Sequence, residues 1–293
     1  MPLKTESTSS LHTQLDTYPV EQLVNALVDD QHHAVSAVRA ATASIAVAVA
    51  AAVPRIRNGG RLVYVGAGTS GRLGLLDSVE LYPTFSWPRD RAVALLAGGH
   101  EAIYKAIEGA EDNREQGAVD IANARVGGND VVIVLAASGT TPYALGALAA
   151  ARLAGAFTIG IANNINAPVA VESDCGITLD TGAEIISGSS RLKAGTAQKI
   201  ALNTLSSAIM VRLHKIYGNL MVDLKPTNAK LKRRATRLTM LATGCDEHLA
   251  EKSLTACGYH VKVAIVMIKK SMSEKDAIAA LDAAHGNVRV ALT

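Results

Sequence analysis

The sequence predicts an α/β fold built on a mostly parallel sheet, and three observations carry that reading. Short apolar runs of strand length alternate with helix-like segments. Aromatic residues are only 3% of a chain that is 49% hydrophobic, so the core must be mostly Ala, Val, Leu and Ile. Gly/Ser/Thr-rich loops follow two of the strand-like runs. Small aliphatic side chains let helices pack closely on a sheet, and strand–helix alternation implies βαβ units with right-handed crossovers.

The elements follow in order. Tyr18 to Arg57 reads as two Ala-rich helices stopped by Asn58-Gly59-Gly60. A strand, Arg61 to Val65, leads through Gly66-Ala67-Gly68-Thr69-Ser70-Gly71 into a helix. A second apolar run spans Ala92 to Ala97, with a helix from about Gly99. A third, Asp130 to Ala136, leads through Ala137-Ser138-Gly139-Thr140-Thr141 into a helix opening at Pro142. Phe157 to Ala162 and Gly176 to Leu179 read as further strands, and a long helix spans about Ser190 to Tyr217. Gly218 to Pro226 reads as a linker, and Thr227 to Thr293 as three or four short helices, with Asp246 and Ser273 as N-caps. The expected domains are residues 1–57, an N-terminal helical region, 58–222, the α/β domain, and 223–293, a small C-terminal helical bundle. A length of 293 residues suits about two domains at ~150 residues each.

Several classes are disfavoured. A net charge of +3 is too small to argue for nucleic acid, and the basic cluster Lys230, Lys232, Arg233, Arg234, Arg237 reads as a solvated helix face. Cys175, Cys245 and Cys257 are far apart and odd in number, which argues against a disulfide framework or a zinc site and for a reducing compartment. His32 and His33 are adjacent, so their rings do not share a helix face, and no metal is expected. The polar start, Met1 to Pro19, lacks the pattern of a signal peptide. The most apolar run, Ala40 to Val53, falls short of the ~20 residues a membrane span needs and reads as a buried helix. The expected location is the cytoplasm, without membrane or nucleic-acid partners.

Ligands of open α/β sheets bind where strand C-termini meet helix N-termini, and both hydroxyl-rich loops fall there. Gly66-x-Gly68-x-x-Gly71 matches a dinucleotide fingerprint, yet the next strand ends Leu95-Leu96-Ala97-Gly98-Gly99 without the acidic residue that would bind a ribose hydroxyl. Its variable positions are Thr69 and Ser70, whose hydroxyls beside helix-start N–H groups suit a sugar or its phosphate; a capped tight turn would look the same. Ser138, Gly139, Thr140 and Thr141 repeat the chemistry, with Pro142 at the first helical position. A third such helix start, Ser187 to Thr196, brings Ser189, Ser190 and Lys193, the lysine being either a phosphate partner or a surface residue. Two carboxylates are candidates for proton work. Glu80, just past the first loop's helix, has apolar neighbours that would favour its neutral form. Glu111 falls on one expected helix stripe with Glu108, Asp112 and Glu115, which a solvated acidic face would also explain.

Five segments carry a resemblance to a known family: Gly66 to Gly74 (GAGTSGRLG), Ser187 to Lys199 (SGSSRLKAGTAQK), Glu108 to Glu115 (EGAEDNRE), Ala136 to Tyr143 (AASGTTPY) and Gly218 to Asp223 (GNLMVD). From about Leu15 to near its end the chain resembles the N-acetylmuramic acid 6-phosphate etherases, sugar-isomerase-domain proteins related to glucokinase regulatory protein. The resemblance implies a sugar-isomerase-type three-layer sandwich and cleavage of the lactyl ether of N-acetylmuramic acid 6-phosphate to N-acetylglucosamine 6-phosphate and D-lactate. It places the catalytic acid on Glu80 and the second catalytic carboxylate on Glu111. It also implies a homodimer, no cofactor, and a role in recycling bacterial cell-wall sugars. After Glu80 the family pattern is Cys-Pro-Pro-Thr, where this chain has Leu81-Tyr82-Pro83-Thr84. The rival readings are an aldose–ketose isomerase on the same fold and a non-catalytic sugar-phosphate-sensing regulator. The two carboxylates favour catalysis over sensing, and lactate release separates etherase from isomerase.

Overall fold

The structure is a computed structural model describing residues 3–224, 226 and 228–293. Met1 and Pro2 of the polar start, Lys225 of the expected linker and Thr227 at the start of the C-terminal segment lie outside the described residues. The described chain divides into two compact units, one comprising residues up to Ser78 with Arg89–Ser206, the other Val79–Pro88 with Ser207–Thr293. The N-terminal helices therefore belong to the sheet unit, and residues 207–222, read from the sequence as part of the α/β domain, fall in the second unit.

The first unit holds five parallel strands in the order β2-β1-β3-β4-β5: β1 Leu62–Gly66, β2 Ala92–Leu96, β3 Val131–Leu135, β4 Phe157–Ala162 and β5 Cys175–Thr178. Three helices precede β1: α1 Val20–Asp30, α2 His32–Ala40 and α3 Thr42–Arg57. Two were expected. The extra break falls at Ala41, where the Thr42 hydroxyl donates to the Arg39 carbonyl at 2.6 Å, and the axis bends by 54°. The apolar run Ala40 to Val53 buries one stripe rather than a whole helix: Ile45, Ala48 and Ala52 are buried, while Val47 is 61% exposed. No single helix among the described residues is long and apolar enough to cross a membrane.

Alternation along the strands builds the three layers. Val63, Val65, Val132 and Val134 share one face, packed against Ile121 of α5 (Arg114–Asn123) and Tyr143, Ala144, Ala147 and Leu148 of α6 (Pro142–Leu153). α5 and α6 approach closely because both carry glycine at the contact. A Cβ on Gly117 would stand 2.1 Å from the Tyr143 carbonyl oxygen, and one on Gly146 1.9 Å from that of Arg114. On the opposite face Tyr64 donates to Asp77 of α4 (Gly68–Phe85) at 2.8 Å. Asn203 and Ser206 of α8 (Lys193–Arg212) donate to the other oxygen of Asp77 at 2.7 and 3.1 Å. One buried carboxylate thus ties β1, α4 and α8 together, and burial beside it drives the Tyr64 hydroxyl well above its ordinary pKa.

Three local expectations need correction. The segment from Gly99 forms only a 3-10 turn, Gly99–Ile103, because Gly98 and Gly99 both take positive φ. The long helix is shorter than expected, starting at Lys193 and ending at Arg212. The acidic stripe at 108–115 is not one helix. Gly109 has φ +70°, Ala110–Asp112 form a 3-10 turn, and Asn113 caps α5 by accepting the Gln116 N–H at 2.9 Å.

In the second unit five helices follow: α9 Ala229–Thr243, α10 Glu247–Ala256, α11 Val261–Lys270, α12 Glu274–Ala283 and α13 Val288–Ala291. They enclose a core of Ala235, Leu254, Val261, Ile265, Leu281 and Val288. Asp246 and Ser273 are N-caps as the sequence indicates, accepting from Leu249 and Asp276 N–H groups. The basic cluster lies on an exposed side of α9, where Lys232 stands 5.0 Å from the Tyr259 ring centre.

Candidate functional site

The strands of the sheet finish nearly level. Gly66 pairs in register with Leu96 and Leu135, and Leu135 with Ile161, so the loops leaving β1 and β3 emerge side by side. After β1 the chain turns at once. Gly68 has φ +52°, the Gly71 N–H donates to the Ala67 carbonyl, and a Cβ on Gly71 would meet the Gly66 oxygen at 2.5 Å. Glycine is required here so that α4 starts within two residues of the strand end. Thr69 is half-buried and Ser70 buried at that helix start.

After β3 the Ser138 hydroxyl accepts from the Thr140 N–H and lies 3.2 Å from the Thr140 hydroxyl. Gly139 takes φ +76°, and a Cβ there would collide with that of Ala167 at 2.2 Å. Pro142 stands in the first turn of α6, as the sequence predicts.

These loops and the start of α8 surround a cavity of about 530 Å³. Of the residues singled out from the sequence, Thr69, Ser70, Glu111, Ser138, Thr140, Thr141 and Ser190 line it. Gly139 is buried in the turn beneath, and Ser189, just before Ser190, does not line the cavity. A larger cavity, about 800 Å³, lies at the other end of the strands around Phe157 and Arg152, away from all the hydroxyl-rich loops. No Lys or Arg lines the 530 Å³ cavity among the described residues. An anion there would be held by hydroxyls and by the free N–H groups and positive dipole ends of helix starts.

Lys193 is the clearest departure. Its Nζ lies 2.6 Å from Asp30 Oδ1, and its side chain is 5% exposed, so the ammonium is committed to a buried ion pair. Beside it the Thr196 hydroxyl donates to the Gln31 side chain at 2.7 Å, so the junction of α1 and α2 is bound to the first turn of α8. Glu80 departs as well. α4 runs on through it to Phe85 instead of ending before it; Leu81 is buried, but Glu80 itself is exposed beside Val79, which is 58% exposed. The apolar surroundings expected for its carboxyl are absent within its unit. Glu111 lies exposed on the 3-10 turn before the Asn113 cap.

Sequence reasoning missed two supports of this site. Glu184, fully buried, accepts from the Lys193 and Ala194 N–H groups at 3.1 and 2.9 Å and so caps α8. Burial pushes its carboxyl pKa up, against the pull of those two N–H groups and of Lys193. Asn164, 3% exposed, donates to the carbonyls of Ala137 and Ser138 at 3.0 and 3.3 Å and holds the second loop. Neither pairing has a short-range pattern from which it could have been read.

Comparison with known proteins agrees with this geometry. Residues 44–152 match the family model of the glucokinase regulatory protein N-terminal SIS domain, and residues 115–208 that of the SIS domain. Among curated proteins, the N-acetylmuramic acid 6-phosphate etherase of Deinococcus radiodurans is 56% identical over 291 residues, 99% of this chain and 95% of that protein. Its namesake in Mycolicibacterium smegmatis is 46% identical over 290 residues, 99% of this chain and 97% of that protein. The chain belongs to the N-acetylmuramic acid 6-phosphate etherase family. A solved Escherichia coli CFT073 protein shares the fold with a TM-score of 0.50 at 16% identity, over 67% of this chain and 93% of that one. The sheet and loops are therefore a SIS-type scaffold, and this etherase-family chain carries a hydroxyl-lined cavity at the C-terminal edge of its sheet.

Removing the Glu184 cap tests how the third wall is held. Glu184→Ala leaves two buried N–H groups without a partner and should cost about 1–3 kcal/mol of stability by urea denaturation. Because the folded pKa is raised, the contribution of this carboxyl is full below the ordinary carboxylate range and falls as pH rises through the raised value. The variant should therefore lose that slope across mildly acidic pH. Unchanged stability and an unchanged pH profile would show that α8 is held by other contacts.

Proposed function

We propose that the protein cleaves the D-lactyl ether of N-acetylmuramic acid 6-phosphate, giving N-acetylglucosamine 6-phosphate and D-lactate, in recycling of cell-wall sugars. The observation that carries this reading is full-length identity of 56% to a curated etherase, combined with a cavity in which hydroxyl-bearing helix starts face a carboxylate.

The proposed roles follow from the chemistry. Ser138, Thr140 and Thr141, with the start of α6, hold the 6-phosphate, and Thr69, Ser70 and Ser190 contact the sugar. In the open-chain sugar the C1 aldehyde acidifies the C2 proton. Glu111, at the cavity rim, removes it as the base. The C3–O bond then breaks, its electrons leaving with the lactyl oxygen, which takes a proton from an acid; Glu80 does not line the cavity, and it is the family resemblance that gives it this role. Water adds across the resulting C2–C3 double bond, hydroxyl to C3 and proton to C2. General acid–base assistance typically contributes ~10²–10⁴-fold per group. No cofactor enters this scheme. Lys193 is assigned the support of α8 instead of phosphate contact.

A homodimer is part of the proposal. Val20, Val24 and Val28 recur at helical spacing on α1 and are 51–77% exposed, as is Val35 of α2 at 57% and Val47 of α3 at 61%. The three valines of α1 form one exposed apolar stripe, which is expected to be covered in solution. On α4, Leu76 and Val79 flank Glu80 and are 47% and 58% exposed. A second copy covering them would give Glu80 the apolar surroundings that an acid protonated near neutral pH needs. The proposed location is the cytoplasm.

The test is incubation with N-acetylmuramic acid 6-phosphate in deuterated water, with D-lactate assayed and C2 deuterium read by NMR. The wild type should release lactate. Glu80→Gln should exchange C2 hydrogen while releasing little lactate, and Glu111→Gln should do neither. Ser138→Ala should bind the phosphorylated sugar more weakly by about 1.5–3 kcal/mol, the value of a hydrogen bond to a charged group. Exchange by Glu111→Gln but not Glu80→Gln would reverse the two roles, and full lactate release by both would remove them. Light scattering at micromolar concentration should give the mass of two chains, and a fully active monomer would refute the dimer.

A further inference from the structure

Leu3 and Glu6, from the N-terminal segment, line the cavity and have no part in the reaction as described. That segment is anchored. Thr5 is 0% exposed; its N–H donates to Asn164 Oδ1 at 3.3 Å, and its hydroxyl accepts from Asn164 Nδ2 at 2.9 Å. The Glu6 and Ser7 N–H groups close a 3-10 turn on the Leu3 and Lys4 carbonyls, and Lys4 pairs with Asp180 at 2.6 Å. The ion pair is solvent-exposed and contributes little, so the buried Thr5–Asn164 contact is the pin.

The pin reaches the site directly. The amide nitrogen of Asn164 that meets Thr5 also donates to the carbonyls of Ala137 and Ser138, so one side chain fixes both the N-terminal segment and the loop assigned to the phosphate. Glu6 is exposed, with Oε2 3.8 Å from where a Cβ on Gly188 would stand, beside the loop that leads into α8. The loops offer hydroxyls and N–H groups, which suit an anion. The rest of an amino sugar presents donors of its own, its hydroxyls and acetamido N–H, and these need acceptors.

We propose that residues 3–7 form a strap over the substrate in which Glu6 is a specificity residue, accepting hydrogen bonds from sugar hydroxyl or acetamido N–H groups. Leu3 supplies an apolar edge beside it. The carboxylate also orients the ligand, because a sugar with two anionic groups binds with both directed away from Glu6. The strap rests on the functional reading above, and it acts through binding, taking no part in proton transfer.

The experiment has a kinetic and a binding arm. Glu6→Ala should raise KM for N-acetylmuramic acid 6-phosphate about tenfold, the loss expected for one hydrogen bond to a charged group, with a much smaller effect on kcat. Thr5→Val, which keeps the shape and removes the hydroxyl, should raise KM in the same direction. Hydrogen exchange of the wild-type N-terminal peptide should slow on saturation with N-acetylglucosamine 6-phosphate, and Glu6→Ala should lessen that protection. An unchanged KM for Glu6→Ala, or exchange in the N-terminal peptide indifferent to the sugar phosphate, would overturn the strap. A wild type that binds the sugar phosphate but releases no lactate would refute the reaction alone, and the exchange arm would still decide the strap. A wild type that binds no sugar 6-phosphate would refute both.

Discussion

A parallel sheet brings every strand's C-terminal end to one edge, and the rest of this site depends on that constraint. With Gly66, Leu96 and Leu135 in register, the helices after β1 and β3 start side by side, each with N–H groups that no preceding turn can satisfy. The site has no lysine or arginine among its described lining residues, so in the proposed reading the phosphate falls to these helix starts and the hydroxyls beside them. Such a cradle works only if its geometry is fixed beforehand. Much of the buried polar chemistry of the unit serves that end: Asp77 joins α4 and α8 to β1, Glu184 caps α8, and Asn164 holds the Ser138 loop.

The arrangement also bears on the two carboxylates. Glu111 sits on a 3-10 turn created by Gly109 and ended by the Asn113 cap, exposed at the rim of the cavity. Glu80 is on the exposed side of α4, where nothing within its own unit desolvates it. The proposed scheme needs a base and an acid in different environments, and within one chain Glu80 lies exposed. The exposed Leu76 and Val79 around Glu80 explain why assembly and chemistry are linked in the proposal.

What was legible in the sequence was local. The apolar runs gave the strands to within a residue or two, the glycine-rich loops gave the sheet edge, and Asp246, Ser273 and Pro142 gave helix starts, because each signal lies within a few residues of its effect. What failed was long-range. Lys193 reads as either a phosphate partner or a surface lysine, and is neither, because its buried partner, Asp30, is far away in sequence. Glu184, Asn164 and Thr5 are ordinary polar residues until the fold brings them to their partners. Glu80 has apolar neighbours in sequence, but adjacent residues on a helix point in different directions, so buried Leu81 says little about Glu80.

The central claim is that lactate leaves by elimination and water then adds at C3. The most direct measurement is the reaction run in water enriched in oxygen-18, with both products analysed by mass spectrometry. Elimination keeps the ether oxygen with lactate, so the account predicts the label in the C3 hydroxyl of N-acetylglucosamine 6-phosphate and none in D-lactate. Label in lactate, with the sugar's C3 oxygen unchanged, would mean that water attacks the lactyl carbon, and would contradict the account.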